Sequence, residues 1–215
     1  MDHRPADDGA FVSTCRRIYQ VYLPILLALG VGAGLPVAAS GQTADPLDMG
    51  EKLTFHAENA YGTLGLAGAA AYAGILEDLD APREWGHGAG GYAKRLASTL
   101  ACSGIHAAVA FGLDTALHED PRYFRSTDRG FFRRSAHAVR GTFLTRTDSD
   151  GETISAWRIG SAYSTAFLSN QWYPGRLNTA RLGAIQGSLT LGFDMVTNLG
   201  TEFWPDIKRI VLRKK

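Results

Sequence analysis

Four apolar segments rich in glycine and alanine constrain the fold of this chain more than any other feature. They cover residues 47–79, 91–120, 156–174 and 178–204. Each is long enough for a helix and too long for an ordinary strand. Small residues recur at every fourth position in them, and this spacing lets helix backbones approach closely. The sequence therefore predicts a mainly α fold, a glycine- and alanine-rich helical bundle.

Two of the segments carry regular stripes along one helix face. The first has a polar stripe at steps of four, three and four residues, formed by Lys52, His56, Asn59 and Thr63. The fourth has an apolar seam, formed by Leu182, Ile185, Leu189, Phe193 and Val196. In the same segment, the spacing of Gly183 and Gly187 predicts a close helix contact.

Single polar residues interrupt these apolar segments. His106 and Asp114 interrupt the second segment, and Asp194 interrupts the fourth. A charged side chain is costly in lipid. The sequence therefore favours a soluble or membrane-lying helical domain over an integral membrane domain.

The first 40 residues are typical of an export signal. Arg16 and Arg17 precede an apolar run over residues 21–40, which ends in small residues suited to cleavage. We expect the mature chain to begin between Gly41 and Asp45. The alternative is an uncleaved anchor, which the prolines and glycines of the run disfavour as a continuous helix.

The resulting organisation is a signal peptide (1–40), a flexible mature N-terminus (41–50), one helical domain (51–209) and a basic tail (210–215). An exported protein of this kind is expected in the periplasm or at an envelope membrane surface. Cys102 is then alone in the mature chain, which excludes an internal disulfide. The net charge of +1 does not indicate a nucleic-acid partner. No cofactor-binding motif is present.

The stretch "HEDPRYFR", residues 118–125, holds the densest group of polar side chains. Asp114 and His118 are four residues apart, so they share one face of a predicted helix and are candidates for an acid–base pair. A metal site would need a third ligand, which the spacing does not supply. The alternative interpretation is a histidine near a helix C-terminus, held by Asp114.

Two arginines follow His118 and extend this candidate site. Arg122 and Arg125 have the planar guanidinium that matches phosphate. With Asp114 and His118 they define the alternative function, a hydrolase or phosphate-handling enzyme. The competing interpretation is that the two arginines form ion pairs with Glu119, Asp120 or Glu202.

Residues 121–147 contain seven arginines, one acid and no lysine. The spacing predicts a short amphipathic helix with Arg133, His137 and Arg140 on a basic face, and with an apolar face of Phe132, Ala136, Val139 and Phe143. Such a helix suits anionic lipid headgroups. The favoured function is therefore a structural or interaction role in the cell envelope, with anionic headgroups or an envelope protein as the partner. A solvated surface face is the alternative.

After this helix the sequence predicts a small β-hairpin, because threonines and β-branched residues flank Asp150-Gly151. Four blocks, "HEDPRYFR", "FLTRTDSDGE", "SNQWYP" and "EFWPDIKR", resemble an uncharacterised group of exported bacterial proteins. The resemblance covers residues 61–209 and implies kinship of fold and export, with no activity attached. The chain departs from the group at "TISAWRI", where a carboxylate would be expected.

Overall fold

The computed structural model describes residues 45–212, which form a bundle of α-helices with one small hairpin. The helices are α1 Met49–Tyr61, α2 Thr63–Asp78, α3 Gly88–Ala116, α4 Phe131–Phe143, α5 Ala156–Ser169 and α6 Ala180–Leu212. The strands are β1 Leu144–Arg146 and β2 Glu152–Ile154, and two 3-10 turns lie at Arg83–Trp85 and Gly175–Leu177. The predicted mainly α bundle with a hairpin near residue 150 is confirmed.

Several predictions from the sequence concern parts of the chain outside the described residues. These are the export signal (1–40), the cleavage site up to position 44, and the end of the basic tail (213–215). Within the described part, α1 begins at Met49 in a capping box. The Asp48 carboxylate accepts from Glu51 N–H at 2.8 Å, and the Glu51 carboxylate accepts from Asp48 N–H at 2.9 Å.

The first apolar segment is two helices instead of one. Gly62 is extended, with φ −65° and ψ 172°, and it separates α1 from α2. The second helix starts directly afterwards, which brings Gly65 against the backbone of Asn59 and Ala60. A Cβ at Gly65 would lie 2.5 Å from the Asn59 carbonyl oxygen. Glycine at position 65 therefore permits this tight junction.

Helix α3 lies against α1, α2 and α5, while α6 lies against α5 and α4. Small residues make these contacts close. The ring of Tyr163 on α5 lies over Gly187 of α6, and a Cβ at Gly183 would come within 2.8 Å of the Phe167 ring. The close helix contact predicted from Gly183 and Gly187 is therefore present, and α5 is the partner helix.

The hairpin is a two-stranded antiparallel sheet in which Thr145 pairs with Thr153. Its turn is closed by Thr147 N–H, which donates to the Gly151 carbonyl at 2.9 Å. Asp150 has φ +63°, a left-handed conformation that aspartate tolerates better than most residues. The Asp-Gly pair thus forms the turn that the sequence predicted.

Candidate functional site

The C-terminal end of α3 holds a buried, hydrogen-bonded pair of polar side chains. Asp114 of α3 has no exposed surface, and its Oδ2 accepts from Nε2 of His56 in α1 at 2.6 Å. His56 is 4% exposed and its ring packs edge-on against Trp157 of α5. The pair therefore ties three helices together at one buried point.

A second pair extends this network towards the hairpin. Lys52, one turn before His56 on α1, is 2% exposed. Its ammonium donates to the Asp148 carboxylate at 3.0 Å and to the Asp114 carbonyl at 3.4 Å. A buried ammonium is costly unless it is paired and hydrogen-bonded, and both conditions are met here. The polar stripe of Lys52 and His56 thus faces inward, whereas Asn59 and Thr63 are exposed.

The predicted pairing of Asp114 with His118 is not present. Helix α3 ends at Ala116, and His118 has φ +56°, so it no longer follows the helical spacing that would place it over Asp114. The His118 side chain is 80% exposed, and its nearest acid is Asp148, with Nδ1 and Oδ2 3.6 Å apart. The structure therefore gives no support to an acid–base pair formed by these two residues.

Glu119 and Asp120 follow His118 and are both buried. Their hydrogen bonds link this part of the chain to α5 and β1. The Glu119 carboxylate accepts from the backbone N–H groups of Ala156 and Trp157, at 3.2 and 3.1 Å, and so caps the start of α5. Burial raises the pKa of Glu119, while these two hydrogen bonds act in the opposite direction. The Asp120 carbonyl accepts from Thr145 Oγ1 at 2.6 Å, which joins the stretch to β1.

The two arginines of the candidate phosphate site lie in different surroundings. Arg122 forms a two-point ion pair with Asp120, with Nε–Oδ1 at 3.0 Å and Nη2–Oδ2 at 2.6 Å. This pair raises the pKa of Arg122. Arg125 is exposed. Asp114 is buried, whereas His118 and Arg125 are exposed, so the four candidate side chains have different surroundings. The hydrolase alternative stays a prediction.

A second buried cluster centres on Glu202 of α6, whose side chain has no exposed surface. Its carboxylate accepts from Tyr123 Oη at 2.9 Å, Ser126 N–H at 3.0 Å and Arg134 Nε at 2.8 Å. Burial disfavours ionisation of Glu202, but these donors outweigh it and lower its pKa. Arg134 also binds Asp206 and lies 4.5 Å from the centre of the Phe203 ring. The "EFWPD" block is therefore the anchor that holds α4 on α6.

The arginine-rich helix α4 presents a mixed face to the surroundings, which we call the basic–aromatic face: Phe132, Ala136, Phe143, Arg133 and Arg140. Phe132 is 84% exposed and the Arg133 side chain 79% exposed. The prediction from spacing placed the phenylalanines and arginines on separate faces. In the structure both kinds are exposed together, because Arg134, Ala138 and Thr142 occupy the face that packs on the bundle.

His137, the third residue of the predicted basic face, belongs to the packed side. Its Nδ1 lies 3.3 Å from Tyr123 Oη, and the two rings meet edge to face. Arg133 has only a long contact to Asp128, at 3.9 Å, and Arg140 pairs with Glu152, where both side chains are at least half exposed. Exposed pairs of this kind contribute little free energy and exchange readily for other partners.

Spacing along the chain could not reveal the true partners of the candidate residues. Asp114 and His56 are 58 positions apart, and Glu202 is 68 positions from Arg134. One signal was present: Lys52 and His56 form a polar stripe on an otherwise apolar segment, and Asp114 interrupts another. A polar side chain buried in an apolar helix is costly without a hydrogen bond, so two such side chains on neighbouring helices are expected to pair.

Among residues 45–212, no group of three or more histidine, cysteine, aspartate or glutamate side chains is placed to hold a metal ion. Comparison of the chain with family models, with curated proteins and with solved structures finds no match. The resemblance to an exported bacterial group therefore stays a prediction.

Proposed function

We propose that the protein is a structural or interaction protein of the cell envelope, which docks on anionic lipid headgroups through the basic–aromatic face of α4. The observation that carries the proposal is the joint exposure of Phe132 and Phe143 beside Arg133 and Arg140. Apolar rings that enter the headgroup boundary, with arginines beside them that meet phosphates, are typical of interfacial helices.

The anchoring of α4 supports this role, because the helix presents its face rigidly. Arg134 holds it to Glu202 and Asp206, and Phe131 stacks on Phe203 with ring centres 5.2 Å apart. Export to the envelope, which the N-terminal sequence predicts, would place the face near anionic lipid. An envelope protein with an acidic surface is the competing partner.

A fluorescent label on the basic–aromatic face tests docking, because it reports the surroundings of α4 itself even if another part of the protein binds the membrane. The full chain, with Cys15→Ser, Cys102→Ala and Ala136→Cys, carries a polarity-sensitive dye in vesicles with or without anionic lipid. We expect the dye emission to shift to the blue in vesicles that contain anionic lipid and not in vesicles that lack it. The shift should be reversed at 1 M salt, where the Debye length is about 3 Å and the attraction between arginine and phosphate is screened.

Reversing the charge of the two arginines should abolish that shift. Each basic residue near an anionic surface contributes about 1 kcal/mol, so Arg133→Glu with Arg140→Glu removes about 2 kcal/mol, roughly 30-fold in docking. The matched control is Arg83→Glu with Arg176→Glu, which changes net charge equally at exposed positions away from α4 and also breaks one exposed pair, Arg176–Glu84. Equal shifts in parent and both variants would contradict docking by this face.

A further inference from the structure

The polarity of the bundle is inverted relative to that of a water-soluble protein. The largest side chains with almost no exposed surface include Arg95, Glu119, Glu202 and Asp114. Buried apolar residues are mostly alanines, with Trp157 and Leu191. Large apolar side chains lie outside instead, among them Leu64, Leu66, Tyr72, Phe167, Leu168, Leu189 and Phe193. Soluble domains show the opposite preference.

These seven exposed side chains lie in parts of α2, α5 and α6 without formal charge, which together with the uncharged part of α3 we call the uncharged band: residues 64–76 of α2, 96–113 of α3, 159–169 of α5 and 182–193 of α6. Other large apolar side chains, such as Met49, Leu53 and Ile207, are exposed outside these stretches. These four stretches contain no aspartate, glutamate, lysine or arginine. Charged residues border the stretches. Glu77 and Arg95 border those of α2 and α3 at one end of the band, and Arg158 and Asp194 border those of α5 and α6 at the other end.

Contacts between the helices place the four stretches side by side. Tyr61 Oη, just before α2, donates to the Leu100 carbonyl at 3.2 Å, which places the start of α2 beside the α3 stretch. Ser161 Oγ lies 3.0 Å from Nε2 of His106, which aligns α5 with α3. Tyr163 Oη lies 3.0 Å from Ser188 Oγ, which aligns α6 with α5. The uncharged stretches of these four helices therefore lie side by side in the bundle.

Several polar groups within the band have partners inside the protein, whereas Thr165 Oγ1 and, at the edge of the band, Asp194 Oδ2 are buried without a hydrogen-bond partner among the described residues. Thr99 and Thr190 donate to the carbonyls of Arg95 and Gln186 in their own helices, at 2.9 and 3.1 Å. His106 reaches Ser161, as described above. Asp114 and the Asp194 Oδ2 atom, which counted against a membrane location in the sequence, are buried in the interior. The cost of charge in lipid therefore does not apply to their side chains as it would on the outer surface.

We propose that the uncharged band is embedded in the hydrocarbon core of a lipid bilayer, so that acyl chains cover it. Helix α3 is long and apolar enough to cross a membrane. Only 11% of its most apolar 18-residue stretch is buried, whereas the core helix of a soluble protein is mostly buried. This proposal is independent of headgroup docking by α4, because it rests on other helices.

The height of the band is compatible with a thin bilayer. At 1.5 Å per residue, the stretches of α2, α5 and α6 span about 16–20 Å and that of α3 about 27 Å. A hydrocarbon core is about 30 Å thick and is thinner in the bacterial outer membrane. Arg181 and Lys94, both exposed at the edge of the band, can extend their charged ends towards the headgroups.

Cysteine labelling reads the environment of the band directly, and an uncleaved N-terminal anchor would not affect the result. Leu66→Cys and Leu189→Cys lie in the band, at residues 45% and 52% exposed. Met49→Cys and Ile210→Cys lie outside it, at residues 63% and 64% exposed. Each is placed in the full chain with Cys15→Ser and Cys102→Ala and treated with a water-soluble maleimide in open membrane fragments.

We expect the two band cysteines to react about tenfold or more slowly than the two controls, because a thiol in hydrocarbon does not form the reactive thiolate. Detergent denaturation should equalise all four rates, which shows that the thiols are intact. Equal labelling in membranes would overturn the proposal. Slow labelling in a protein recovered from the soluble fraction would also overturn it and would indicate a protein partner on the band.

Discussion

Replacing Asp114 by alanine should lower the free energy of unfolding by about 3–5 kcal/mol, because it leaves His56 buried without its acceptor. Asp114 and His56 are 0% and 4% exposed and their side chains are 2.6 Å apart. For a domain of this size the loss corresponds to a decrease in Tm of roughly 6–20 °C. Thermal unfolding of the full chain in mild detergent measures it.

His118→Ala is the matched comparison, since the sequence placed His118 beside the same aspartate. Its side chain is 80% exposed, so we expect a change within about 0.5 kcal/mol. His56→Ala should instead destabilise strongly, and combining it with Asp114→Ala should cost less than the sum of the two single changes. A strong effect of His118→Ala together with a neutral His56→Ala would contradict the assignment of the pair.

Replacing Glu202 by alanine should have an effect of similar size, about 3–5 kcal/mol, because it removes the acceptor of a buried cluster. Tyr123, Ser126 and Arg134 all donate to this carboxylate. We expect α4 to loosen first, which a dye at position 136 would report as increased mobility. Glu84→Ala, which breaks an exposed pair with Arg176, serves as the control and should change stability by about 0.5 kcal/mol or less.

The same cluster predicts a pH dependence. The folded-state pKa of Glu202 lies below its ordinary value of 4.5, so its stabilising contribution is fully present above that pH. It is lost as the pH falls from about 4.5 through the lower folded pKa. Asp206, whose pKa is lowered by its hydrogen bond to Arg134, acts in the same direction. Glu202→Gln should make the decrease of Tm at acidic pH shallower. The same decrease in the parent protein and in the variant would contradict a stabilising role of the Glu202 carboxylate.

Local patterns in the sequence were sufficient for the helices and the hairpin. Periodicity and length indicated helices in all four apolar segments, and Asp150-Gly151 between β-branched residues indicated the turn. Helix ends were less predictable. The break at Gly62 depends on packing between the ends of α1 and α2, and α6 continues through Pro205 to Leu212, where proline favours an end.

The direction in which each face points could not be obtained from periodicity alone. A stripe shows which residues share a face but not whether that face meets the interior or the surroundings. Leu189 and Phe193 of the predicted apolar seam are 52% and 45% exposed, whereas Gly187 on the neighbouring face is buried. Polar interruptions in the apolar segments favour a location outside lipid only if their side chains face outward, and Asp114 is buried in the interior.

Spin-label accessibility along α6 shows whether the bundle has an apolar, lipid-facing exterior around a polar interior. Labels at Ala184, Ser188, Leu189 and Phe193 sample the exposed side of the band, and a label at Ile210 samples the same helix beyond it. In the full chain reconstituted in bilayers, we expect high collision rates with oxygen and low rates with a water-soluble nickel chelate at the four band positions, and the reverse at Ile210. Nickel collision rates at the band positions equal to or above that at Ile210 would contradict this arrangement.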